Sequence, residues 1–426
     1  MFENVKGKKL LVVGGAVIDL NIVNVAREMG AYVITVDRNT DYSKSPAKLA
    51  SDEAWDIDCS DLEAVAEKRR LEHVDGIMAG YSEFRVLAAS KISEMIGKPF
   101  YATSEQIEMT RSKRSFKDLC IRFGVPIAKD WCFGVPPTEE EKDRIEYPVI
   151  VKPTDYAGCK GITVCYNREQ LEEAIQYALS LSQSKTIIIE DYLIGTELMA
   201  IYTIVDGKAT LSMLNEKYIS QDHKRISGLC DVVLTPSKYH DMYVETIDEK
   251  MKGFLNGIGA KNGVAFFQFI ANQNGIRAFE MGYRINGNTD CMEIEKYNNI
   301  NYLKMCISYS LTGSMGDDNL KDNPLFGKYL CSLLTYVHGG TVGTVSLGNL
   351  VNGDGIDDIF EYISVGKTVP ENDTTEQKAV TVKISAPTLK EIAEKINHIY
   401  AEIQVNDVDG NNMLFKPFNT ARLFES

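Results

Sequence analysis

Residues 147–161 read YPVIVKPTDYAGCKG, and a lysine there closes an apolar run just before two glycines. Val149, Ile150 and Val151 are β-branched and favour a buried strand. Lys152 ends that strand, and Pro153, with no N–H to donate, ends its ladder. Gly158, Cys159, Lys160 and Gly161 then make a loop whose glycines allow unusual backbone angles. Such a loop turns several N–H groups toward one anion, so the stretch reads as a phosphate clamp. The same residues also describe a sheet-edge lysine followed by an ordinary β-turn. This stretch by itself leaves both readings open.

A second chemical pattern lies downstream. Strands expected over 264–270 and 275–280 flank Gln273-Asn274-Gly275, a tight hairpin turn. That hairpin places Gln268 and Glu280 side by side, and two neighbouring oxygen donors suit Mg²⁺. A plain cross-strand contact is the alternative. Arg284 follows Glu280 by four residues, within EMGYRINGN. Residues 190–197, EDYLIGTE, carry acids at both ends. Lys113 and Lys117 sit on successive turns of a helix expected from RSKRSFKDLCIRF, where lysines more often form a solvated face.

Composition narrows the class. With 426 residues the chain is long enough for two or three domains with real cores. Hydrophobic content of 44% and charged content of 25% fit a water-soluble globular protein. A formal net charge of −14 argues against a nucleic-acid surface, which needs a basic stripe. The nine cysteines are dispersed without a CxxC pair, as expected for reduced thiols in a cytoplasmic protein. The five histidines show no HExxH pattern. The apolar run 10–23 is broken by Gly14, Gly15, Asp19 and Asn21, so neither a membrane span nor a signal peptide is expected.

Elements that would position these residues follow in order. A strand over 8–13, Gly14-Gly15, a helix capped by Gly30 and a strand over 32–36 alternate as in a parallel, doubly wound sheet. A capping box at 60–63, a strand over 76–79 and a helix over 83–96 closed by Gly97 continue that pattern. Asp37 at the second strand end suggests a dinucleotide site, yet the GxGxxG fingerprint is missing. After the linker helix come a helix capped at Asn167, a strand over 186–190 and a hairpin around Asp206-Gly207. Residues 215–240 are polar and irregular, a candidate substrate loop; helices are expected over 243–258 and 299–312. From about 321, strands over 329–336, 340–346 and 378–385, a helix over 388–403 and a last strand near Met413 suggest a smaller α+β domain. Residues 352–358 and 406–412 resemble calcium loops but do not complete an EF-hand.

The ordered set TRSKRSFK, PVIVKPTDYAGCKGI, EDYLIGTEL, FQF and FEMGYRING resembles the ATP-grasp superfamily. It is most similar to the branch that includes biotin carboxylase, carbamoyl-phosphate synthetase halves, purine-pathway ligases and L-amino-acid ligases. The resemblance implies an ATP-grasp fold of α/β and α+β parts. A Rossmann-like pre-ATP-grasp domain would cover 1–105, the nucleotide-binding core 106–320 and a small α+β domain 321–426. It implies that Lys113, with Lys117 as second choice, and Lys152 reach the nucleotide phosphates. Gly158, Cys159, Lys160 and Gly161 would be the mobile loop over them. Glu190, Asp191 and Tyr192 would be the hinge that bonds adenine through backbone atoms, and Glu197 would hold the ribose. Gln268 and Glu280 would be metal ligands, and Arg284 would stabilise the reacting acyl phosphate, with Lys152 the other catalytic cation.

The implied activity is an ADP-forming carboxylate–amine (or carboxylate–thiol) ligase acting on small molecules. Its cofactors would be ATP and one or two Mg²⁺, with Mn²⁺ as a substitute, and a homodimer is the family expectation. Bicarbonate as the phosphorylated acceptor, as in carbamoyl-phosphate synthase-like chemistry, is the near alternative. A nucleotide-binding regulatory protein without catalysis is the distant one. It is motivated by Gly282, which stands where the family often has the asparagine of Glu-x-Asn. Asn286 or Asn288 would then be the substitute ligand, or the metal set would be smaller. An oxidoreductase binding a nicotinamide at Gly14-Gly15 is the third option.

Overall fold

A computed structural model describes residues 2–155, 161–220, 229–316, 322–350 and 355–425. Near the N-terminus the strands Lys9–Val13, Tyr32–Val36, Glu53–Trp55 and Gly76–Met78 form one sheet. All its pairings are parallel, with Lys9–Val13 between Tyr32–Val36 and Gly76–Met78. Leu10 to Val13 are fully buried, as a strand covered on both faces requires. Helix Leu20–Glu28 covers this sheet with Ile22, Val23 and Ala26, and Gly30 (φ 85°) follows its end. Helix Glu83–Ile96 ends at the left-handed Gly97. The three-residue strand Glu53–Trp55 escaped the sequence reading because it is too short to show a period. The cap of helix Leu62–Leu71 is Asp61, not Ser60; Asp61 accepts from Ala64 N–H (3.0 Å) while Ser60 turns back to Asp58.

The turn after the first strand is filled by the protein itself. A Cβ on Gly14 would lie 2.6 Å from Asp19 Oδ2 and 2.7 Å from Arg85 Nη1, and one on Gly15 1.7 Å from Ser45 Oγ. Asp37 accepts hydrogen bonds from the Asn39 backbone (2.9 Å) and side chain (2.6 Å). The room that a dinucleotide pyrophosphate takes beside such a turn is therefore occupied by side chains.

The linker is two helices rather than one. Ser104–Arg111 starts with a Thr103–Gln106 capping box, and Ser112 then caps Lys113–Arg122. Lys113 thereby becomes a first-turn residue. A four-stranded antiparallel sheet follows, ordered Asp130–Gly134, Ile187–Asp191, Val149–Pro153, Thr163–Cys165. Helix Arg168–Leu181, capped by Asn167, packs Leu171, Ala174, Ile175 and Ala178 on it and gives it an apolar core of its own.

Eight antiparallel strands make the large sheet. Its order is Gly275–Gly282, Gly263–Asn272, Thr196–Val205, Lys208–Ile219, Cys230–Thr235, Tyr329–Tyr336, Lys378–Ala386 and Ile356–Glu361. Strands from either side of residue 321 thus share one sheet. Helix Leu389–Glu402 and a three-stranded sheet (Gly340–Ser346, Thr368–Val369, Gln404–Asp407) enclose a second apolar core. Met413 lies outside any strand and next to an isolated Val337–Leu414 bridge. Part of the 215–240 segment is strand, and residues 221–228 lie outside the described residues. The helix expected over 299–312 is Tyr302–Thr312, and an unexpected helix, Asp290–Asn298, precedes it. Asn299 (φ 59°) ends Asp290–Asn298, and Asn301 caps Tyr302–Thr312. Among the described residues no helix is long and apolar enough to cross a membrane.

Gly76 tests the packing of the N-terminal sheet on helix Tyr302–Thr312. A Cβ there would lie 2.2 Å from the Ser310 carbonyl oxygen, which is backbone and cannot rotate away. Gly76→Ala is expected to destabilise the protein by about 1–3 kcal/mol. Urea unfolding should show a lowered midpoint with an unchanged slope.

Candidate active site

The smaller and the large sheet bring charged groups close to one another, and Glu190 is a buried acid among them. One Glu190 oxygen accepts from Lys152 and the other from Lys117, which also binds Asp130. Burial pushes the Glu190 carboxyl pKa up, but Lys152 and then Lys117 outweigh it and hold it below the usual range. Lys117 is raised, because Glu190 and Asp130 overcome its own burial. Lys117 is therefore a buried structural cation at the root of the site. Lys113 lies 3.5 Å from the Thr154 carbonyl. Its pKa is lowered, first by burial and then by the like charge of Lys152, against the pull of Glu280 and Glu190.

The expected hinge is strand end, not free backbone. The Asp191 N–H donates to the Lys129 carbonyl and the Tyr192 N–H to the Pro148 carbonyl (both 3.0 Å). Those two N–H groups are therefore already engaged within the protein. The Asp191 carboxylate is held by Trp131 Nε1 (2.7 Å). Gly158, Cys159 and Lys160 lie outside the described residues; Gly161 (φ 78°) packs against Pro153 and Leu181.

On the large sheet, Gln268 stands directly opposite Glu280. The Gln268 amide donates to Glu280 Oε2 (3.1 Å), and its oxygen accepts from Lys217 Nζ (2.7 Å), an orientation assigned from the hydrogen-bond network. Lys217 also binds Glu197 Oε1 (2.5 Å), so the expected ribose acid carries a lysine partner. The Glu280 side chain keeps solvent contact, yet the surrounding protein raises its pKa against the pull of Lys113, Lys217, Lys152 and Arg284. Four cations thus act electrostatically on one carboxylate.

Magnesium takes six oxygens in near-octahedral geometry. Glu280 offers a carboxylate to such an ion, while Gln268 turns its amide nitrogen to Glu280 and its oxygen to Lys217, so Gln268 would join the ion only with that amide turned over. Among the described residues no cluster of three His, Cys, Asp or Glu could hold a metal alone. Asn286 does not stand in for the missing asparagine: it is buried, donating to Asp290 (2.5 Å) and accepting from Tyr302 (3.3 Å).

Sequence reasoning missed Lys217, Glu83 and the pairing of Lys117. The Asp206-Gly207 hairpin, counted without interruption, sets Glu197 opposite Glu216. A bulge between Leu211 and Met213 shifts the register by one and brings Lys217 there instead. Glu216 is buried on the other face, bonded by Tyr218 (2.8 Å). Nothing in the local pattern announces that bulge. Arg284 binds Glu83, 201 residues earlier, through Nε (2.7 Å).

Comparison with known proteins agrees with this architecture. Residues 111–286 match the family model described as "Phosphoribosylglycinamide synthetase, ATP-grasp (A) domain". The matched stretch is less than half of the chain, and its likeness is to the ATP-grasp superfamily. Within it, a phosphoribosylamine–glycine ligase of Fusobacterium nucleatum is 28% identical over 240 residues, covering 50% of this chain and 54% of the relative. The chain spans about half the length of the curated relatives it matches. The crystal structure of an L-amino acid ligase from Bacillus licheniformis superposes with a TM-score of 0.78 at 15% identity, over 94% of this chain and 99% of that one. A phosphoribosylglycinamide synthetase from Anaerococcus prevotii gives 0.76 at 18% identity, over 94% and 100%.

The two lysines on Glu190 differ in a way that unfolding measurements resolve. Lys117→Ala strips Asp130 and half of Glu190 of their buried partner and is expected to cost about 3–5 kcal/mol. Lys152→Ala leaves Glu190 paired with Lys117 and is expected to cost distinctly less. Equal losses in urea titrations would contradict this assignment.

Proposed function

We propose that the chain is an ATP-dependent, ADP-forming carboxylate–amine ligase. The observation that carries the reading is Glu280 opposite Gln268, with Lys217 on that glutamine and Lys113, Lys152 and Arg284 near enough to pull on the Glu280 charge. Transfer of a γ-phosphoryl group to a carboxylate brings two anions together, and such a step is catalysed by positioning and fixed charge. Lys152 and Lys113 face the phosphates from the smaller sheet and the linker helix. Glu280, together with Gln268 once its amide oxygen turns from Lys217, would hold one Mg²⁺, whose charge would neutralise phosphate oxygens; Mn²⁺ has the same ligand preference for oxygen. Arg284 sits beyond Glu280, where charge develops on the acyl phosphate. The substrate carboxylate oxygen forms the new P–O bond as ADP leaves. The amine nitrogen then attacks the acyl carbon, and phosphate departs as the amine loses its proton. The smaller sheet, with its own core, can close over the site and exclude the water that would hydrolyse the intermediate.

The relatives' names, a phosphoribosylamine–glycine ligase and an L-amino acid ligase, support an amine and a carboxylate as co-substrates. Incubation with ATP, Mg²⁺ and pooled amino acids, small carboxylates and bicarbonate should release ADP with at least one pool. Dependence on bicarbonate alone would shift the acceptor without changing the phosphoryl step. Release of AMP would overturn the mechanism, and ATP binding with no turnover would favour a regulatory protein. Lys152→Ala should keep its fold and lose turnover by roughly 10²–10³-fold, the usual effect of removing one preorganised charge donor.

A further inference from the structure

Gly282 stands two residues beyond Glu280 on the same strand, directly opposite Phe266. Its missing side chain is used. A Cβ at 282 would lie 2.5 Å from the Phe266 ring and 3.2 Å from Glu83 Oε1. The Phe266 ring and the Glu83 carboxylate therefore fill the space above this glycine. Both also touch Arg284. Its guanidinium lies over the Phe266 ring at 4.9 Å, its Nε donates to Glu83 Oε1 (2.7 Å), and its Nη1 donates to the Ile285 carbonyl (2.9 Å). Nη2 makes no hydrogen bond among the described residues.

Glu83 comes from the N-terminal unit. It is the first residue of the 14-residue helix Glu83–Ile96, whose N-terminus favours a carboxylate. Two residues on, Arg85 binds Asp19 (2.6 Å) beside the Gly14 turn and fixes this helix end to the first sheet. A rigid helix end thus reaches across to one arginine of the large sheet.

We infer that Glu83 is the positioning residue of Arg284, and that position 282 is glycine because this clamp needs the space. Stacking on Phe266 and the bond to Glu83 hold Arg284 by its guanidinium face and Nε edge and leave Nη2 without a hydrogen bond among the described residues. Arg284 is a preorganised charge rather than a flexible one. The inference rests on the ligase reading only for what Arg284 does in turnover; the clamp itself is a structural statement.

Arginine ¹⁵N–¹H spectra of wild type, Glu83→Ala, Glu83→Gln and Gly282→Ala test it. The Arg284 Nε–H resonance, identified by its loss in Arg284→Lys, should be shifted and protected from solvent exchange in wild type. It should lose both properties in Glu83→Ala and Gly282→Ala and regain most of them in Glu83→Gln, whose amide oxygen still accepts. In turnover, Glu83→Ala should lower kcat roughly tenfold to a hundredfold, the scale of misplacing one catalytic group. The KM for ATP should stay within about twofold, because only a non-nucleotide contact is disturbed. An unchanged resonance in Glu83→Ala, or a raised ATP KM at constant kcat, overturns the clamp. Calorimetric titration of wild type with Mg·ATP judges the ligase reading separately: absent heat there removes the nucleotide site, while the resonance still decides the clamp.

Discussion

Glu190 is a carboxylate taken out of water between two ammonium groups, and the site is built outward from that arrangement. A buried charge without partners is expensive, so both lysines are held wherever Glu190 is held. Glu190 is itself fixed by the central strand of the smaller sheet, with Asp130 opposite on one side and Ile150 on the other. The linker helix that carries Lys117 is tied to that sheet by the same pairing. Lys113, one turn earlier, inherits its position from Lys117. One buried network therefore places the cations of one wall of the site.

The opposite wall depends on register. The pairing of Gln268 with Glu280 requires one bulge, and that of Glu197 with Lys217 requires another. Each bulge adds one residue to a strand, and each turns side chains that would otherwise face away. Without the first, Glu280 would pair with Phe267, and without the second Lys217 would leave Glu197. The acid and base content of this wall is thus a matter of two local irregularities in an otherwise regular antiparallel sheet.

These facts explain which parts could be read from the chain. Lys152 was legible because a β-branched strand ending in Lys-Pro is a local signal, and the Asn167 and Gly97 caps are local too. The hairpin that brings Gln268 and Glu280 close was legible from its turn, but their direct pairing depends on a bulge that the turn does not announce. Lys217 was not, since only the bulge distinguishes it from Glu216. Glu83 was not, because its contact with Arg284 spans 201 residues of chain and two different sheets. The boundary between helices Asp290–Asn298 and Tyr302–Thr312 was hidden in two asparagines, Asn299 left-handed and Asn301 capping, whose roles depend on backbone angles. The resemblance supplied the order of parts, and the physical pairings came only with the fold.

The structure of the protein with Mg²⁺ and a non-hydrolysable ATP analogue tests the central claim most directly. The account predicts a triphosphate between the two walls, with Lys113 and Lys152 on its oxygens and a metal held by Glu280 and Gln268. It also predicts that Lys117 stays on Glu190 and Asp130. A nucleotide seated elsewhere, or phosphates in the site that touch neither Lys152 nor a metal on Glu280, would contradict it.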